Sequence, residues 1–473
     1  MKVKVLLKMM ALCCALALVF TGCGTVVTEQ SVWIEGDGTT QTVTHSSGSK
    51  GSTDTVDDSG KTDVESIVND GSAPDLKGAT VTIGYYLTSY CGEPQPSSPT
   101  YQDEVALISS IEQKYNCKIE FKYVGDPTVY FKAWTAAAQA GTHFADIIQM
   151  GTNIVYPTHI KAGYLTKLDD YINAKDIIYN QNAMSQTEYE GSHYITVMSN
   201  RMYSPVGLFF NKKIFSTFNQ QTPDTYVEAN NWTWDTFLEL AKKTTGSNNG
   251  VDYYGYGLEA TDATYWAISN GGKKVVKKDG KYTFNMGSSQ YLKGIQFAYD
   301  LYNTHKVTAP KVKSAEFLWG DGKIAMYLAL PGKGASFMEK LGSKNVGFTY
   351  MPKGPDVKDY TATVEETTAF AIPSTVSNPE AISQIMYDFT YPYKWRATLE
   401  QQLETHMGDA NSLKAAMDLT NIANSNMDLM PTYSYIREIG IGGFGILEQT
   451  SPQGYIASVS AAAQQEINST WGQ

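Results

Sequence analysis

The chain has 473 residues, of which 42% are hydrophobic and 18% are charged, a globular composition in a chain long enough for two domains. Its formal charge of −11, with no basic block, argues against a nucleic-acid partner. Five cysteines are too few for a disulfide-rich scaffold.

Residues 1–22 have the pattern of a bacterial secretory signal. Lys2, Lys4 and Lys8 precede an apolar run over 9–20. That run is shorter than the about 20 apolar residues of a membrane-spanning helix, so it fits a cleavable signal better than an anchor.

The signal ends in Phe20-Thr21-Gly22-Cys23, which resembles the lipobox of bacterial lipoproteins. Cleavage before Cys23 would leave its thiol to carry the lipid, and a plain secretory signal is the alternative. Acyl chains would then hold the protein on the outer face of the cell membrane. Residues 23–77 begin with that cysteine and continue as a segment rich in Thr, Ser, Gly and Asp, which predicts a disordered tether.

From here onward the sequence alternates between strand and helix patterns. Apolar and β-branched residues predict strands over 79–86, 118–124 and 146–149, and helical spacing predicts helices over 102–116 and 130–140. Strands separated by helices of this length indicate an α/β fold with a parallel sheet and helices on both faces.

Helix and strand ends give three further expectations. Thr233 and Asn378 are predicted N-caps of two later helices, the second followed by a proline at its first position. Gly141 is expected to end the helix over 130–140. Cys91 and Cys117 would lie at opposite ends of the parallel sheet, too far apart for a disulfide unless the intervening loop folds back.

Common enzyme motifs find no support in the mature chain. There is no G-x-S-x-G, H-E-x-x-H or C-x-x-C motif, and the six histidines are scattered, so neither a metal nor a cofactor is expected. The glycine motif over 440–445 is followed too soon by Pro452 to open a dinucleotide-binding helix. Asp169-Asp170 is too close in sequence to act as the two carboxylates of a glycosidase, and the same holds for 365–366.

Six segments in order carry a resemblance to a known family. Among them, G-L-F-F-N-K-K-I-F resembles the family's G-L-Y-Y-N-K-x-L-F, and W-T-W-D-T-F resembles its T-W-D-E-F helix start. Together with the lipoprotein signal, they resemble the bacterial extracellular solute-binding proteins of the sugar-binding class, the group that includes maltose-binding protein. The six segments are 131–148, 162–172, 207–215, 232–237, 317–326 and 370–381.

The resemblance implies an α/β, two-lobed, periplasmic-binding-protein-like fold with strand crossovers at the hinge. We expect lobe 1 to contain residues 78–203 plus 326–362, and lobe 2 to contain 204–325 plus 363–473. The lobes would close around a ligand, and a monomer would present it to the permease of an ATP-binding cassette (ABC) importer. Such a receptor is not an enzyme.

The resemblance, with strand-end positions, also predicts the ligand contacts. Trp266 is either a sugar platform or a core residue, and Tyr86 at the first strand end is likewise either a cleft or a core residue. Glu365 and Glu366 either accept bonds from sugar hydroxyls or belong to a solvated loop. The predicted contacts are Tyr86, Met150, Asn153, Ser204, Asp262, Trp266, Lys333, Glu365, Glu366 and Tyr433.

Carboxylates and amides among these candidates suit a carbohydrate, whose rim of hydroxyls offers both donors and acceptors. The main alternative on the same fold is a receptor for a peptide, a polyamine or a sugar phosphate. A surface enzyme acting on glycans, or a sensing module for a two-component kinase, are alternatives from other classes.

Overall fold

The structure is a computed structural model that describes the greater part of the chain. For 42–45 and 52–55 it describes the backbone alone. The described residues are 42–45, 52–55, 71–87, 92–176, 178–198, 205–259, 261–309, 315–364, 367–391, 396, 399–424 and 451–472. The predicted signal sequence and Cys23 lie outside them.

The described strands are short. They are β1 Thr42–His45, β2 Ser52–Thr55, β3 Ala79–Tyr85, β4 Cys117–Tyr123, β5 Ile147–Gly151, β6 Gly207–Asn211, β7 Gly246–Asn248, β8 Val251–Gly257, β9 Val275–Lys278, β10 Lys281–Phe284, β11 Ile324–Ala329, β12 Val346–Thr349 and β13 Thr368–Ala371. Strands β5, β6, β11, β12 and β13 are the most deeply buried of them.

The described helices range from one turn to 20 residues. They are α1 Tyr101–Tyr115, α2 Pro127–Ala140, α3 Thr152–Val155, α4 Thr158–Lys161, α5 Gln181–Gln186, α6 Lys212–Thr217, α7 Pro223–Glu228, α8 Trp234–Lys243, α9 Asp262–Ser269, α10 Ser289–Asn303, α11 Ala315–Gly320, α12 Gly334–Leu341, α13 Pro379–Thr390, α14 Leu399–His406, α15 Ala410–Asn424 and α16 Pro452–Trp471.

The first sheet has the strand order β13-β5-β3-β4. Strands β3, β4 and β5 are parallel, as their alternation with α1 and α2 predicts, and β13 runs antiparallel to β5. Helices α1 and α13 pack together over one face, where Ile111 and Ile385 are fully buried in the same cluster as Ile83. These elements form the first lobe.

The second sheet has the order β12-β6-β11-β8-β7. Strands β8 and β11 are parallel, and β6 runs antiparallel to both of its neighbours, β11 and β12. Its core contains large aromatic side chains, including Trp232, Phe237 and Trp266. This sheet and its helices form the second lobe.

The strand pairing moves the predicted boundaries between the lobes. Residues 326–362 were expected in lobe 1, but β11 and β12 pair with β6 of the second sheet. Residues 363–473 were expected in lobe 2, yet β13 pairs with β5 of the first sheet. The chain therefore returns to the first lobe between β12 and β13, later than the sequence suggested.

The helix α16 belongs with the second lobe. Its Ile456 and Ile467 are buried in one cluster with Tyr291 and Ile295 of α10. The side chain of Gln464 accepts a hydrogen bond from the backbone N–H of Phe284 in β10 at 2.9 Å. Residues 452–471 therefore pack with the helices and strands of the second sheet.

Within the predicted tether, β1 and β2 pair antiparallel. The structure therefore differs from the prediction of a wholly disordered segment at these eight positions, which form two strands of 4 residues each. Their threonines and Val43 are β-branched, which favours strands, although an isolated two-stranded ribbon is only marginally stable in water.

The predicted caps are confirmed. The Asn378 side chain accepts from the N–H of Ala381, Thr233 forms a capping box with Thr236, and Gly141 ends α2 at a φ of 64°. Helix α2 begins earlier than predicted, because Asp126 caps it ahead of a proline at its first position.

Cys117 is buried with a free thiol, and Cys91 lies outside the described residues. Over the described part of the chain, none of the helices combines the length and the apolar character that crossing a membrane requires. Within the same residues, no group of three His, Cys, Asp or Glu side chains is placed to hold a metal ion.

Candidate ligand-binding site

One edge of the first sheet brings together three chain segments. The carboxyl ends of β3 and β5 lie at this edge, and β13 starts there, with Thr368 paired to Gly151. Open α/β sheets bind ligands outside the carboxyl ends of their strands. This edge is therefore the part of the first lobe where a ligand is expected.

Two polar side chains hold these segments in place. The buried amide of Gln149 accepts hydrogen bonds from the backbone N–H groups of Tyr86 and Leu87, at 3.3 and 3.0 Å. The hydroxyl of Thr152 accepts from the N–H of Thr367 at 3.2 Å. Sequence reasoning missed both residues, because their partners are distant in the sequence.

The structure places the predicted contacts of the first lobe beneath this edge. The ring of Tyr86 is buried 5.6 Å from Tyr130 and 4.8 Å from Phe131, and Met150 is fully buried in β5. Asn153, in α3, is a buried polar side chain. For Tyr86 this placement favours the core alternative, whereas Asn153 keeps the chemistry of a ligand contact.

The corresponding edge of the second sheet carries a polar cluster, of which the sequence predicted Lys333 and missed the other members. One carboxylate oxygen of Glu259, which follows β8, accepts from the Tyr327 hydroxyl and from the N–H of Glu316, both at 3.2 Å. The Glu316 carboxylate in turn accepts from Lys333 at 3.1 Å. We call these four residues the Glu259 cluster.

Asp262 supports this cluster from below. Its buried carboxylate accepts from the Tyr256 hydroxyl and from the N–H of Glu259, the latter at 3.0 Å. Burial is the main cause that raises the pKa of Asp262 to about 7, against an ordinary value of 3.8. Asp262 is therefore placed to fix the loop after β8, one step removed from the surface of the edge.

Trp266 packs in the interior of the second lobe. Its ring is fully buried, with ring centres 4.7 Å from Phe237, 4.9 Å from Phe297 and 6.1 Å from Trp234. A sugar platform needs an accessible ring face, and Trp266 has none in this structure. The placement favours the core alternative.

Lys333 is 52% exposed and lies in a 3₁₀ turn just after β11. Near it, Phe317 is 68% exposed, next in sequence to Glu316. Phe317 thus offers an accessible aromatic face in α11, the helix that carries Glu316 of the Glu259 cluster. The other predicted contacts lie outside the described residues: Ser204, Glu365, Glu366 and Tyr433.

A separate groove of about 440 Å³ opens beside the end of β12. Tyr350 and Tyr360 are stacked in its wall, with ring centres 4.3 Å apart. The Tyr350 hydroxyl donates to Asp418 at 2.6 Å, and Lys353 donates to Asn230. Its volume is that of a small-molecule site, but these polar groups already pair with one another.

Residues 94–386 match the family of bacterial extracellular solute-binding proteins, which is more than half of the chain. The chain belongs to this family. It is thus a solute-binding protein of the kind that serves ABC transporters, as the sequence resemblance predicted. No curated protein sequence gives a significant match.

Solved structures share its fold. The galacto-N-biose-/lacto-N-biose I-binding protein of Bifidobacterium longum, in complex with lacto-N-biose, is 14% identical with a TM-score of 0.58, over 84% of this chain and 99% of that chain. The extracellular solute-binding protein of Staphylococcus aureus in complex with maltose is 15% identical with a TM-score of 0.57, over 82% and 97%. The GacH receptor of Streptomyces glaucescens, solved unliganded and with acarbose, is 16% identical with a TM-score of 0.56, over 83% and 99%.

At these identities the similarity concerns the fold alone. The predicted two-lobed, α/β solute-binding-protein fold is confirmed.

Proposed function

We propose that this solute-binding protein captures a carbohydrate of oligosaccharide size between its two lobes and delivers it to the permease of an ABC importer. The observation that carries the proposal is the Glu259 cluster at the ligand-binding edge of the second sheet. Three related folds were solved with lacto-N-biose, maltose and acarbose, and these ligands support the choice of a sugar.

The chemistry of the cluster fits sugar hydroxyls. Carboxylates accept hydrogen bonds from sugar hydroxyls, and the Lys333 ammonium can donate a hydrogen bond to a hydroxyl oxygen. Phe317 supplies an exposed ring for an apolar sugar face. Each hydrogen bond contributes about 1 kcal/mol net, and more when one partner is charged. Several of them, with one ring contact, reach the about 8 kcal/mol of micromolar binding after association costs are met.

In the first lobe we propose Asn153 as a contact. Its amide can both donate to and accept from a sugar hydroxyl. Ser204, Glu365, Glu366 and Tyr433 remain predicted contacts from the sequence.

We also propose that the protein is a lipoprotein. Residues 1–22 would be removed as a signal, Cys23 would carry the lipid, and the segment to residue 77 would tether the lobes to the outer face of the cell membrane. The protein would act as a monomer, without a cofactor and without catalysis.

The test is a ligand screen that measures melting temperature and intrinsic fluorescence across mono- and oligosaccharides, amino acids, peptides and polyamines. The proposal is supported if one class of sugar stabilises the protein saturably and the sugar itself is recovered chemically unchanged. A receptor that ignores every sugar and responds to another solute contradicts it, and a sugar that is cleaved indicates an enzyme.

A second candidate ligand is a polyamine. Glu259 and Glu316 bring two carboxylates to the edge against the single ammonium of Lys333, and this excess favours a cationic solute. Spermidine and putrescine therefore belong in the screen. Their binding should weaken steeply with added salt, whereas sugar binding should not.

A further inference from the structure

The last helix touches both lobes. Most of α16 packs against the second lobe, but Trp471 at its end also contacts Tyr156, which directly follows α3 of the first lobe. The Lys161 ammonium in α4 of the first lobe donates to the backbone carbonyl of Ser469 in α16, at 3.2 Å.

An aromatic trio lies at this contact. The Trp471 ring stacks on Tyr282 of β10, with centres 3.7 Å apart and planes at 18°. Its other neighbour is Tyr156, immediately after α3 of the first lobe, with centres 5.4 Å apart in an edge arrangement. Burial is the main cause that raises the pKa of Tyr156, with the neighbouring Tyr282 adding to it, and the Tyr156 hydroxyl donates to the backbone carbonyl of Glu188 at 3.1 Å.

We propose that Trp471 is a positioning residue, the centre of an interlobe clasp that also contains Tyr156, Tyr282 and the contact from Lys161 to Ser469. The clasp links the lobes through side chains and helix α16, in addition to the points at which the chain passes from one lobe to the other and to the buried residues that the two lobes share. Rotation of the lobes has to break or rearrange it, so the clasp sets how often the ligand-free protein changes its interlobe angle.

The position of the clasp ties it to the ligand-binding edge. Tyr156 follows Asn153 by three positions, in the segment that leaves the carboxyl end of β5. A change at the clasp is therefore transmitted directly to the proposed contact residue of the first lobe. An aromatic pair contributes about 1 kcal/mol, which corresponds to about a five-fold change in the ratio of two conformational states.

The experiment measures interlobe distances in the ligand-free full chain by double electron–electron resonance. Spin-labelled noncanonical residues replace Lys132 of α2 and Lys242 of α8, which are both exposed. Trp471→Ala should shift the ratio of interlobe distances by about five-fold relative to the wild type. The matched control is Tyr455→Ala, which removes a ring from the second-lobe end of the same helix and should leave the distances unchanged.

Identical distance distributions for Trp471→Ala and the wild type would overturn the clasp, as would an equal change in the control. If circular dichroism shows that Trp471→Ala unfolds α16, Lys161→Met tests the same contact from the first lobe. That variant should shift the distances in the same direction, and no shift would also overturn the clasp.

Because closure around a ligand is itself proposed above, the measurement is made without ligand. A chain that binds no sugar can still show the clasp. Conversely, if the protein binds a sugar but its interlobe distances do not change in Trp471→Ala, the clasp is overturned and the proposed function stands.

Discussion

Replacing Trp266 with alanine should destabilise the second lobe rather than act mainly on ligand binding. The ring is fully buried among Phe237, Phe297 and Trp234, and its Nε1 donates to the Tyr256 hydroxyl at 3.3 Å. Removing a buried Trp costs about 3–5 kcal/mol, and the lost hydrogen bond adds about 1 kcal/mol. The sum of about 4–6 kcal/mol is a large part of the about 5–15 kcal/mol that stabilises a native protein.

The assay is urea unfolding followed by circular dichroism. Two lobes can unfold in separate transitions, and the loss is expected in the transition of the second lobe. Ligand affinity is measured by calorimetry below that transition, where the folded variant should bind nearly as well as the wild type.

Phe317→Ala is the matched control, because it removes an exposed aromatic side chain from the same lobe. Its free energy of unfolding should change by less than about 0.5 kcal/mol, while its affinity for the sugar falls. The reasoning on Trp266 is refuted if Trp266→Ala unfolds like the wild type and yet no longer binds the ligand.

Three further predictions concern the cluster, its buried support and the anchor. Glu259→Gln should lower the affinity for the sugar found in the screen by about ten-fold in calorimetry, since it removes the charge from an acceptor, whereas the exposed Glu339→Gln should not change it. The pKa of Asp262, raised from 3.8 to about 7 by burial, means that the folded state binds more protons than the unfolded chain between about pH 3.8 and about pH 7. The free energy of unfolding should therefore fall as the pH rises through that range. Asp262→Asn should make the free energy of unfolding, measured with urea, depend less on pH. An equal pH dependence in variant and wild type would contradict the assignment. Cys23→Ser should release the protein from the membrane fraction and abolish metabolic labelling with palmitate, and an unchanged distribution would contradict lipidation.

The local elements could be predicted from the sequence because their signals are local. β-Branched and aromatic content predicted β3, alternation of apolar residues predicted β4, and the caps at Thr233 and Asn378 placed two helix starts. The lobe boundaries could not be predicted in the same way. They depend on β12 pairing with β6, a contact between segments more than a hundred residues apart, and no local pattern encodes it.

The residues of the candidate site also differ in whether a local sequence pattern or distant packing determines their position. A Trp in a helix has the same sequence signature whether its ring faces a cleft or the core, so the position of Trp266 had to come from the packing of three helices. Glu259 was missed because its partners, Glu316 and Tyr327, lie 57 and 68 positions away. A carboxylate directly after a buried strand was the available signal.

The distribution of aromatic residues supports the proposal that the two lobes move as rigid bodies. The largest rings, among them Trp134, Trp232, Trp266 and Trp319, are fully buried, and such close-packed interiors resist deformation. The lobe rotation that we propose would then rearrange the contacts between the lobes, among them those of Trp471. Ligand affinity in such a protein depends on the free energy of moving the lobes as well as on the contacts at the strand ends. Changes at the clasp and at the Glu259 cluster should consequently act on affinity by separate routes, and their effects in a double variant should add.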